Sequence, residues 1–158
     1  MNLRAFTVMI GLSLLTQHAL AEDLAIGSEL RAGFYADSNS ARSEQRNNGN
    51  DASTVQHGQR NMATIRQQGV HNRATLRQQG TEHNAAILQL GGYNSADILQ
   101  SGSGHDATIE QRGHGKQASI EQHGVRGKAD IRQLGTSSTP VSISQIANGR
   151  MQVQVIQR

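Results

Sequence analysis

The sequence predicts an all-β fold: an amyloid-like β-solenoid of five stacked strand–turn–strand rungs, each about 22 residues long. Three observations carry this. The frame Asn-x-Ala-x-Ile-x-Gln-x-Gly recurs every eleven residues, most plainly as Asn61–Gly69 and Asn72–Gly80. Each copy alternates with period 2, which sets Ala, Ile and Gln on one face of a strand and polar residues such as Thr64 and Arg66 on the other. A Gly in every copy, with no 3.6-residue apolar stripe, argues against helix.

The first 21 residues stand apart. Arg4, the apolar run 5–15 and Ala19-Leu20-Ala21 have the order of a cleavable signal peptide, and the run is too short for a mature membrane span. Without it the chain keeps 14 of its 15 Lys and Arg (Arg4 is lost) and all 12 Asp and Glu, a formal charge of about +2. Residues 22–47 form an N-terminal segment. Leu24, Ile26, Leu30, Phe34 and Tyr35 follow neither period, and 39–45 is a degenerate copy with Ser43 at the aliphatic position, expected to be a frayed first strand.

The strict register begins at residue 48 and divides into rungs 48–69, 70–91, 92–113, 114–135 and 136–158. One column is Gln56, Gln67, Gln78, Gln89, Gln100, Gln111, Gln122 and Gln133, and it continues into Gln145 and Gln157. Asn50, Asn61, Asn72 and Asn94 mark the turns, where Gly supplies unusual dihedrals and Asn is expected to tolerate the left-handed region. The core is expected to comprise Ala63, Ile65, Ala74, Leu76, Ile87, Ile98, Ile109, Ile120 and Ile131. In the last rung Pro140 precedes Val141–Gln145, Val153–Gln157 follows, and both copies sit twelve residues after their predecessors rather than eleven.

A single rung cannot bury its apolar face; stacking at about 4.8 Å gives five rungs a length of about 24 Å and a shared core. Each buried Ile contributes about 1.5–3 kcal/mol, modest for so few aliphatic side chains. Gln therefore has to stabilise too. A buried amide left unpaired costs about 1–3 kcal/mol, whereas amides stacked in register bond one another, as in cross-β assemblies. End rungs lack one neighbour and are templates for a further β-rich chain. Outward neighbours are expected to read Arg66, Leu88, Glu110, Arg132 on one sheet and Arg77, Leu99, Glu121 on the other, which avoids stacking like charges.

Other functional classes find little support. Cys and Trp are absent and aromatics are 3% of the chain, so neither disulfides nor an ordinary globular core is available. The calculated pI of 10.0 reflects a small net charge spread among acids, with no basic run or stacking platform for nucleic acid. His57, His71, His83, His105, His114 and His123 fall mostly in turns without ligand spacing and read as solvated residues. No nucleophile or phosphate-loop motif is present. No enzyme, metal or cofactor is expected.

The spacing Gln67, Asn72, Gln78, the 22-residue rung, the five rungs and the leader resemble the curlin family, the amyloid subunits of curli fibres. The resemblance covers 48–158. Few aromatics, the Ala and Ile columns and the ending Gln154–Arg158 are more similar to the minor, nucleating subunit than to the major one. His83, His105, Lys116 and Gly127 depart from the pattern, since each stands where the frame has Asn. The resemblance implies secretion through a curli pore with accessory surface factors, self-association, templating of the major curlin subunit, and residence in extracellular fibres at the outer cell surface. It also implies support of adhesion and biofilm matrix. Arg150, Val153, Val155, Ile156 and Arg158 are the candidates for tethering to that surface. A monomeric β-solenoid adhesin or binding module, or the major fibre subunit itself, is the alternative.

Overall fold

Alternation becomes sheet wherever the inward residues find partners one rung away. The computed structural model describes residues 38–158; the expected signal peptide and the apolar residues of 22–37 lie outside them. Nine strands follow in order: β1 Ser40–Arg46, β2 Asp51–Gln59, β3 Met62–Val70, β4 Arg73–Thr81, β5 Asn84–Gly92, β6 Ser95–Ser103, β7 Asp106–His114, β8 Gln117–Gln133 and β9 Val141–Gln157. All pairings are parallel, in the order β1-β3-β5-β7-β8-β6-β4-β2, with β9 on β8. β8 and β9 each run through a corner and serve both layers.

The register has a simple arithmetic. Each residue pairs with the one 22 further on, so Ala63 lies beside Ala85, Ile65 beside Ile87 and Gln67 beside Gln89. In the last rung the twelve-residue spacings lengthen the offset to 23 (Gln122 with Gln145) and then 24 (Gln133 with Gln157). The degenerate copy is not frayed. It is β1, which lies in register on β3 with Ser43 beside Ile65 and Gln45 beside Gln67.

The expected core residues form one buried cluster between the two layers, joined by Ala85, Ala96, Ala107, Ala118, Ala129 and Ile143. Ala and the aliphatic residue two positions on are both buried in each inner strand, as Ala63 and Ile65 are in β3. The outward columns read as expected: Glu44 beside Arg66, Glu110 beside Arg132, and Leu88 and Leu99 between charges. The ion pairs this creates are exposed (Arg66–Glu44 3.2 Å, Lys128–Asp106 3.5 Å), where water and salt leave them little weight.

Gly is needed where rungs touch. Gly91 has φ of 117°, and a Cβ there would lie 2.0 Å from the Gly113 carbonyl oxygen. The expectation that Asn takes the left-handed conformation is corrected. The residue before it does: Arg60, His71, Glu82 and Tyr93 have φ between 55° and 60°, and Gly104 and Gly115 hold the same position with φ of 67°. That leaves Asn free to point inward.

Candidate assembly interface

The polar interior is built from two Gln ladders. One runs Gln45, Gln67, Gln89, Gln111, Gln133, Gln157 and the other Gln56, Gln78, Gln100, Gln122, Gln145. In both, each Nε2 donates to the Oε1 of the next Gln at 2.7–3.0 Å. The remaining N–H of an inner Gln donates to a backbone carbonyl: Gln67 to Asp51, Gln78 to Met62, Gln89 to Arg73 and Gln100 to Asn84, at 2.9–3.1 Å. A carbonyl oxygen only accepts, so it fixes which way each amide faces. The ladders are therefore directional.

Direction makes the two ends of the stack chemically different. Among the described residues nothing donates to Oε1 of Gln45 or Gln56, so within residues 38–158 both are open acceptors. At the other end Gln145 donates to the Met151 carbonyl (3.1 Å) and Gln157 to Ser137 Oγ (2.9 Å), and each keeps one N–H that reaches no described acceptor. Acceptors at one end match donors at the other.

The outward edges differ as well. At the β1–β2 end Ser43 and Thr54 stand in the aliphatic column, and outside it are Arg42, Glu44, Arg46 and Asp51. Arg46 bonds Glu44 at 2.7 Å and holds its carboxyl below the usual carboxylate range. Charges on an edge oppose indiscriminate strand addition. The β9 end carries Ile146, 72% exposed, with Met151 and Ile156 also exposed and no acidic residue between 136 and 158.

The tethering candidates divide across this edge. Val153 and Val155 turn inward, half-buried against Ala129 and Ile131. Arg150, Ile156 and Arg158 face outward. Arg150 shares an open hollow with Arg126, Lys128 and Met151, in which Asp106 is the one carboxylate and is paired to Lys128.

At the turns a second polar system runs beside the ladders. Asn61 Oδ1 accepts the backbone N–H of His83, and Asn72 Oδ1 that of Asn94. The Asn side chains donate back to carbonyls, as Asn61 does to Gly80 (3.0 Å) and Asn72 to Gly91 (3.0 Å). His83 and His105 do not interrupt it, whereas Lys116, whose ammonium has no acceptor, keeps only the donor half. Nδ1 of His83 accepts from the His105 N–H (3.3 Å) and Nδ1 of His105 from that of Gly127 (2.9 Å). Lys116 Nζ donates to the carbonyls of Gly135 (2.6 Å) and Ser137 (2.7 Å), which pins the loop between β8 and β9.

The reading of the histidines as solvated is thereby corrected for two of them. His83 and His105 are each 1% exposed, whereas His57, His71 and His114 are exposed. The frame held the signal, because both occupy the Asn column. An exposed row that the sequence did not announce is His71, Tyr93 and His114, with ring centroids 5.0 and 4.9 Å apart. Among the described residues no three His, Cys, Asp or Glu gather as a metal site.

The family model described as Curlin associated repeat matches the chain five times, over residues 48–80, 58–91, 71–102, 84–113 and 94–124. The matched span ends at Gly124, before the lengthened last rung. No curated protein and no solved structure gives a significant match.

Proposed function

We propose that the chain, whose residues 48–124 match the Curlin associated repeat, is a curli-type amyloid subunit, and that it is the minor subunit, which nucleates polymerisation of the major curlin. The observation that carries this is the pair of directional Gln ladders, satisfied within the stack and, among the described residues, open at both ends. A soluble chain that lays its strands against an open end gains ladder and backbone hydrogen bonds already in register. It thereby avoids the unfavourable closure of its own first rung.

The tether is the last rung. Arg150, Ile156 and Arg158 offer cations and apolar surface without an acidic residue, a combination suited to an anionic, amphiphilic outer surface. Val153 and Val155 support it by seating β9 on the core. Secretion through a curli pore, with accessory surface factors, belongs to the same proposal, as do the rung boundaries at 48, 70, 92, 114 and 136. The curlin family is one of extracellular fibre formers, and the chain's self-association follows from it.

Folded chain added at a low molar ratio to soluble major curlin shortens the lag before fibre growth; an unchanged lag overturns the nucleating reading. Deleting 136–158 releases the protein into the medium; continued retention on cells overturns the tether.

A further inference from the structure

The two imidazoles that replace Asn inside the stack have a property no amide has. The rings of His83 and His105 lie parallel, 3° apart in plane with centroids 5.2 Å apart, and both are buried. Nε2 of His83 sits 3.1 Å from the Gln79 carbonyl and Nε2 of His105 sits 3.2 Å from that of Ser101, so Nε2 carries the hydrogen. Nδ1 must then be a bare acceptor, which is the role it plays toward the backbone N–H of the next rung. Each imidazole thus reproduces both jobs of Asn, provided it is neutral.

We propose that His83 and His105 form an acid-sensitive latch: the solenoid closes across its middle rungs when both imidazoles are neutral and opens there when they are protonated. A proton on Nδ1 would face the N–H it now accepts, donor against donor, in a dry interior. The second imidazolium would lie one rung away. The charged and titratable groups nearby do not compensate. Glu82 is paired with Arg60 at 3.1 Å, Asp106 with Lys128 at 3.5 Å, and His123 on β8 with Glu121 at 2.7 Å; Arg126 adds positive charge. Burial pushes both imidazoles below the ordinary value of 6.5, helped by His105 acting on His83 and by His123 acting on His105.

The sign follows from linkage. The folded chain binds fewer protons than the unfolded one, so stability rises with pH. It is fully present above the unfolded imidazole value and is lost as pH falls from there toward the lowered folded values. The latch concerns folding of the chain alone and does not depend on the nucleating reading.

The test is to dilute denatured full-length chain into buffers at pH 7.5 and 5.5 and to follow β-structure by circular dichroism. At pH 5.5 each imidazole that must stay neutral lowers the folded-to-unfolded ratio by up to about tenfold. The double variant His83→Asn/His105→Asn restores the frame's amide and removes most of that difference, whereas His71→Asn/His114→Asn, altered at exposed positions, keeps it. Equal folding of the natural chain at both pH values overturns the latch, as does an undiminished difference in His83→Asn/His105→Asn. Nitrogen NMR of the labelled natural chain provides a check that needs no variant. It should show two imidazoles with bare Nδ1 that titrate below the others, and imidazoles that all titrate alike overturn the latch.

Discussion

Gln100→Ala removes the middle of one ladder. Gln100 is fully buried, accepts from Gln78 (2.9 Å), and donates to Gln122 (3.0 Å) and to the Asn84 carbonyl (3.1 Å). The substitution strands an N–H on Gln78, Oε1 on Gln122 and one lone pair on Asn84, at about 1–3 kcal/mol for each buried polar group. The total is at least about 3 kcal/mol. Gln56→Ala makes the same chemical change at the open end, where Gln56 is half-buried and bonds Gln78 (2.7 Å) and the Ser40 carbonyl (3.1 Å). Water can serve both partners there, so the cost falls to about 1 kcal/mol or less. Guanidinium unfolding of dilute, unassembled chain reads the difference. With a slope of roughly 3 kcal/mol/M, Gln100→Ala lowers the midpoint by roughly 1 M and Gln56→Ala by a third of that or less. Equal shifts would refute the argument that enclosure, rather than the amide itself, gives the ladder its weight.

Gly91→Ala combines a positive φ with a Cβ placed against the Gly113 carbonyl, and is expected to lose several kcal/mol; an unfolding midpoint within error of the natural chain contradicts the close approach. Lys116→Asn restores the frame residue but is too short to reach Ser137, so amide exchange should quicken at 135–139 with little change in β4 and β6; unchanged exchange in the loop contradicts the pin. Ile146→Lys places a charge on the β9 edge and is expected to slow self-association without altering the circular dichroism of the monomer; unaltered association removes that edge from the interface.

The fold was legible because one constraint repeats. Ala63, Ile65 and Gln67 must each meet their like 22 residues on, and the eleven-residue frame states that register without ambiguity. The ladder and core residues followed from parity alone; the same parity turns Val153 and Val155 inward, whereas the sequence reading offers them for the surface. The turns were harder. Arg60, Glu82 and Tyr93 share a left-handed position with Gly104 and Gly115, yet their side chains are too varied for local preference to show it. Neighbouring rungs impose the conformation, and the aligned glycines were its only trace. His83 and His105 were misplaced because a polar turn residue is ordinarily solvated, whereas position in the frame outweighs residue type once eleven-residue units stack. The direction of the ladders could not be read at all, since it depends on which carbonyl each amide meets.

In the proposed function, an ordered stack whose ladders are open among the described residues seeds other chains. The most direct measurement of this is the lag of fibre growth in soluble major curlin, taken with a trace of the folded chain and with the same trace of Gln78→Ala/Gln100→Ala. A shortened lag is expected with the intact ladder and a lag close to the unseeded one when it is broken. Equal seeding by the two, or none by the intact chain, would contradict it.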